Sequence, residues 1–183
     1  MCRFPGIFSI IGLGSWVALA AALGAAPAAG ANPPQSTRDL VRTDRPTLDA
    51  LYAAGSAGRI PDGFAPGRPI VNPGTRVTVP ASRLLHPLWQ GKVFNGDGTG
   101  MNRVFGVNAI PVKVYLGESW KDGGPAVIVD YADSWKPFRK VRDEFREVSP
   151  GLYLGMTYIR DCPEPKLAMM FALQERNGCK KKK

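Results

Sequence analysis

The chain has 183 residues, 44% of them hydrophobic, and a net charge of +9, enough length for one domain with a real core. Four of the excess charges sit in the tail Lys180–Lys183 and one is Arg3. The body is therefore only mildly basic, which argues against an extended nucleic-acid surface. Beyond residue 31, one histidine and two well-separated cysteines remain, which cannot make the usual zinc set. The 21 glycines and 17 prolines punctuate the whole chain and favour short strands and turns over long helices.

Residues 1–31 carry a single charge, Arg3, ahead of an apolar run from Ile7 to Ala20, and end on Ala29-Gly30-Ala31. Positive start, apolar centre and small-x-small site are the parts of a secretion signal. Cleavage after Ala31 would leave Cys2 with the signal and place the mature protein in the periplasm or outside the cell. The alternative is an uncleaved membrane anchor at the N-terminus. Residues 32–45 are polar and read as a flexible lead-in to a single β-rich domain over 46–179, followed by the basic tail 180–183. That tail could make weak contact with an anionic envelope surface.

A short helix is expected after Thr43-Asp44-Arg45-Pro46, with Leu48, Leu51 and Tyr52 on one stripe and Gly55 as its stop. The Pro/Gly-dense stretch 59–74 reads as irregular chain, and Thr75–Val79 as a half-exposed strand ended by Pro80. Strands are expected over Leu88–Phe94, over Asn102–Val107 across the Asn-Gly/Asp-Gly turn 95–100, around Val112–Leu116, and over Ala126–Tyr131. Asp133 or Ser134 could then cap an inserted helix carrying Trp135, Phe138, Val141 and Phe145 at three- and four-residue steps. Two more strands follow, Leu152–Ile159 and Leu167–Leu173, the second apolar on both faces. Six or seven sequential antiparallel strands predict a mainly β fold. They would close into an up-and-down barrel or a strongly bent sheet, with one inserted helix and a short N-terminal helix.

The remaining cysteines, Cys162 and Cys179, flank the last strand. Its ends would stand about 20 Å apart, so a bridge requires the flanking segments to fold back. Export permits a bridge and geometry does not compel one.

The block from Arg142 to Gly155, RDEFREVSPGLYLG, follows a strand ending in Asp130-Tyr131 and a segment LWQGKVF at Leu88–Phe94. It resembles a family of bacterial exported proteins of uncharacterised function that carry an RDE-x-R-x-V-x-PGLYLG segment. The order of these motifs is also similar to lipocalin-like domains, a likeness that implies a barrel able to hold an apolar ligand.

No catalytic signature is present. A Ser–His–acid set would have to use His86, and no G-x-S-x-G elbow exists. The richest polar constellation is Asp130, Tyr131, Arg142, Asp143, Glu144 and Tyr153, in which Arg142 on the expected helix could reach Asp130. The aromatic and methionine residues Trp89, Tyr115, Tyr153, Met156, Tyr158, Met169, Met170 and Phe171 would form the interior. The expected function is non-catalytic binding of a small apolar or amphipathic molecule, without cofactor, metal or nucleic acid. The contacts would be Trp89, Tyr115, Asp130, Tyr131, Arg142, Glu144, Tyr153 and Tyr158. Two alternatives are a small envelope lyase, isomerase or hydrolase using Asp130, Tyr131 and Glu144, and a structural envelope protein that docks a partner.

Overall fold

A computed structural model describes residues 33–175; the expected signal and the basic tail lie outside them. Eight antiparallel strands close into a barrel in which every strand pairs with its neighbours in sequence, and β1 closes on β8. The strands are β1 Gly63–Ile70, β2 Gly91–Phe94, β3 Thr99–Val104, β4 Val107–Glu118, β5 Pro125–Asp130, β6 Val141–Ser149, β7 Leu152–Ile159 and β8 Lys166–Gln174. Among the described residues, three α-helices accompany them: α1 Thr37–Arg42, α2 Arg45–Ala54 and α3 Thr78–Leu85. This is the up-and-down barrel expected from the turn spacing. No helix among the described residues is long and apolar enough to cross a membrane.

The two N-terminal helices start where their caps dictate. The Ser36 hydroxyl accepts from the Asp39 amide and the Asp44 carboxylate from the Thr47 amide, satisfying first-turn N–H groups. Pro46 sits in the first turn of α2, where its missing N–H costs nothing. Thus part of the polar lead-in is helical, and its Leu40 and Val41 are buried. Leu40, Leu48 and Tyr52 pack with Leu152, Leu154, Met156, Met170 and Ala172 on the outside of the barrel wall. Each fully buried leucine contributes about 1.5–3 kcal/mol. Strands β7 and β8 are apolar on both faces because helices cover their outer side.

Three further segments differ from expectation. The inserted helix is absent: residues 136–138 form a single 3-10 turn, and Val141–Ser149 is strand β6. Its apolar residues fit two periods at once, since Val141 and Phe145 are four apart. Pairing with β5 and β7 decides for the strand and sends Val141, Asp143 and Phe145 inward, and Arg142, Glu144 and Arg146 outward.

Thr75–Val79 is not a strand. The chain turns into α3 there, with Pro80 in the first turn, where a missing N–H has no helical partner to lose.

The Pro-rich stretch, read as irregular, supplies β1. Its first half pairs only with β2 and its second half only with β8. Each half therefore has one unpaired side, a setting in which Pro66 and Pro69 need not break a ladder.

Inside the barrel, one end is filled. Phe94, Phe145 and Tyr153 meet edge to face, with ring centroids 5.8 and 5.5 Å apart. Phe171 lies over Gly155, where a Cβ would come within 2.1 Å of its ring. Only glycine allows that contact.

Candidate functional site

The other end of the barrel is open. A cavity of about 470 Å³ lies between the segment preceding β2, the β3–β4 turn, the β5–β6 connection and the facing ends of β7 and β8. Its walls are apolar: Trp89, Val104, Ile110, Phe138, Met169 and Phe171 lie on them, and Leu88, Phe105 and Trp135 stand at the rim. Those three rim residues are 43%, 73% and 53% exposed, an apolar lip that a protein surface rarely presents without use.

The polar lining residues Asn102, Tyr131 and Asp143 belong to a buried network centred on Lys92, which is 1% exposed. Lys92 Nζ donates to Asp143 Oδ2 at 2.6 Å, to Tyr131 Oη at 2.7 Å and to Asn102 Oδ1 at 3.0 Å. Those three acceptors use the full donor capacity of an ammonium. Tyr131 donates to the same Asp143 Oδ2 at 2.8 Å, and Trp89 Nε1 donates to Asn102 Oδ1 at 2.9 Å. The rings of Trp89, Tyr131 and Phe171 stand 5.6, 5.3 and 5.4 Å from the ammonium, within cation–π range. Burial pulls the Lys92 ammonium below its ordinary pKa, with Asp143 acting in the opposite direction. Burial raises the Tyr131 phenol well above its ordinary value, and the Asp143 charge adds to the effect.

One atom of this network is unmatched. Asp143 Oδ1 is buried and accepts no hydrogen bond, on a residue that lines the cavity. A buried carboxylate oxygen without a donor is costly, and here it belongs to the wall of an apolar chamber.

The expected contact residues divide between the two faces of the wall. Trp89 and Tyr131 line the cavity. Tyr153 also points inward but sits deeper, in the packed end. Burial raises its phenol pKa to about 12.

Tyr115, Asp130, Arg142, Glu144 and Tyr158 face outward. Asp130 accepts from Arg160 at 2.7 Å and from Tyr115 at 3.1 Å, so the expected Arg142–Asp130 pair does not form. Arg142 instead donates to Glu144 at 2.6 Å and to the Glu118 carbonyl at 2.7 Å, stacked over Trp120. Glu144 also accepts from Tyr52, Ser119 and the Trp120 amide, so all four of its bonds are internal and serve to dock α2 and the β4–β5 turn. Tyr158 packs edge-on against Trp120 at 5.7 Å. Met156 and Met170, expected inside, lie under the helices. Because Tyr131 faces inward while Asp130 and Glu144 face outward, these three do not form one site. Cys162 is disulfide-bonded; Cys179 lies outside the described residues.

Lys92 and Asn102 were not expected as site residues, because a lysine in a strand ordinarily reads as solvent-facing. A signal was present. In Gly91-Lys92-Val93-Phe94, an inward Phe94 puts Lys92 on the inner face, and the Asn-Gly turn pairs Lys92 with Asn102 across the hairpin.

No protein-family model and no curated protein matches this chain. A crystal structure of a protein from Thermomonospora curvata is similar, with 18% identity over 74% of this chain and 89% of that one, at a TM-score of 0.48.

Proposed function

We propose that the protein binds a small amphipathic molecule, without transforming it, in the open end of the barrel, and does so in the cell envelope or outside the cell. The cavity volume falls in the range of small-molecule sites, about 300–1,000 Å³, and its walls suit an apolar body. The observation that carries the reading is the unmatched Asp143 Oδ1 among those walls. It calls for a ligand whose polar end donates a hydrogen bond, such as an alcohol, an amide or an amine. Lys92 and Tyr131 fix the carboxylate from its other oxygen. With its three donor hydrogens engaged, Lys92 is suited to holding Asp143 in place rather than to attacking a carbonyl.

Native mass spectrometry of the purified protein should show a co-purifying small molecule, or saturable uptake of a long-chain alcohol such as dodecanol. Dodecanol should quench emission from the cavity tryptophans and should bind more tightly than dodecane. Thr157→Trp, which fills the cavity from β7, should abolish the uptake. Equal affinity for dodecane would remove the role given to Asp143, and no saturable binding of either probe would remove the function.

A further inference from the structure

On the outside of the barrel, α1, β1 and α3 enclose a second cavity of about 240 Å³, which shares no lining residue with the first. Four of its lining residues are arginines: Arg38 and Arg42 from α1, Arg68 from β1 and Arg83 from α3. No carboxylate lines it. Among the described residues, none of these four guanidinium groups makes a hydrogen bond or an ion pair. By contrast, Arg142, Arg146 and Arg160 each hold a carboxylate at 2.6 or 2.7 Å.

Such a cluster is unfavourable by itself. Arg38 and Arg42 lie four residues apart on one helix face, where like charges repel. Arg68 is half-buried between them and α3; burial lowers its pKa, and the charges of Arg38 and Arg83 add to that. The nearby acid, Asp39, already accepts the Gln35 amide through its carboxylate.

A second feature points into the same space. Ser82 is 1% exposed, lines the cavity, and its Oγ has no hydrogen-bond partner. A buried hydroxyl beside unpaired guanidinium groups is a donor set without an acceptor. The acceptor it fits is a tetrahedral oxyanion, because guanidinium forks engage phosphate oxygens two at a time and a hydroxyl completes the shell. The cavity has room for a phosphate group with water around it.

We propose that Arg38, Arg42, Arg68, Arg83 and Ser82 form a binding site for a phosphate-type oxyanion, separate from the barrel cavity. The source of the phosphate is either a free ion or the headgroup of an anionic phospholipid. Val77 and Leu84 on and beside α3 are 53% and 76% exposed, placing apolar side chains next to the site as a headgroup would require.

The test is calorimetric titration of the full chain with inorganic phosphate and pyrophosphate, against chloride at matched ionic strength. Flotation with vesicles of phosphatidylglycerol, and of phosphatidylcholine alone, runs in parallel. One-site binding of phosphate or pyrophosphate, weakened about ten-fold or more by Arg68→Gln and reduced by Ser82→Ala, supports the site with a free ion as its source. Flotation only with phosphatidylglycerol, lost in Arg68→Gln and in Arg38→Gln, supports it with a lipid source. Arg68→Gln should also melt no lower than the parent in phosphate-free buffer, since it relieves repulsion, while losing the rise in Tm that phosphate gives the parent. Should phosphate, pyrophosphate and vesicles all fail to bind, or bind equally to the parent and both arginine variants, the site does not exist.

Discussion

The Lys92–Asp143 pair permits a quantitative test of the network beneath the cavity. At 2.6 Å and an effective dielectric near 20, two unit charges attract by about 6 kcal/mol. Taking each ion out of water costs several kcal/mol. The pair as a whole is therefore close to neutral against an apolar replacement, but either ion alone is a large liability. Asp143→Leu leaves a buried ammonium with only neutral partners, and Lys92→Met leaves a buried carboxylate held by Tyr131. Each single change should cost about 3–5 kcal/mol, a drop in Tm of roughly 6–20 °C for a domain of this size. The Lys92→Met/Asp143→Leu double variant should lose less than either single. Urea unfolding followed by far-ultraviolet circular dichroism and tryptophan emission measures all three. If the singles cost below about 1 kcal/mol, or the double equals their sum, the two groups are not a desolvated ion pair and the account of the network is wrong.

Other consequences can be measured independently. Burial raises the pKa of Tyr52, Tyr131, Tyr153 and Tyr158. The unfolded chain therefore loses these protons first as pH rises, and stability falls above pH 10. Tyrosinate absorbance should appear together with loss of tertiary structure, and ionisation of all four phenols in a still-folded protein would contradict this. Gly155→Val drives a side chain into the Phe171 ring and should destabilise the barrel by about 1–3 kcal/mol or more, read as a lower urea midpoint. Arg146 donates to Asp122, the Pro125 carbonyl and the Tyr52 carbonyl while stacked on the Tyr52 ring. Arg146→Met should cost about 2–4 kcal/mol and open α2 to limited proteolysis around residues 45–55, whereas Lys113→Met, at an exposed ion pair, should change neither.

Much of the barrel was legible in the sequence because turns and alternation are local signals. The Asn95–Gly100 turn set the β2–β3 hairpin, and the alternation of β7 placed Leu152, Leu154, Met156 and Tyr158 on one face. What alternation could not tell was which face looks inward. Helices α1 and α2 bury the outer face of β7 and β8, so Tyr158 and Met170 are as hidden as residues of the interior. Strand β6 was obscured for a related reason. Arg142, Glu144 and Arg146 look like the solvated side of a helix, yet they are 6%, 0% and 3% exposed. Their partners come from α2 and from residues 118–125, distant in sequence, and no local pattern announces that burial. The cavity was visible only in part: Trp89 and Tyr131 were expected, while the charge that organises it required knowing the hairpin register.

The divided pairing of β1 has a consequence for how the molecule assembles. Its second half has no neighbour until β8 arrives, almost a hundred residues later in the chain, so the ring cannot shut until nearly all of it has been made. Contacts spanning so much sequence slow folding, and a nascent or truncated chain lacking β8 exposes the edges of β1 and β7 to stray partners. Residence as an incomplete ring is thus the vulnerable stage in the life of this protein, and the last strand to emerge decides when it ends.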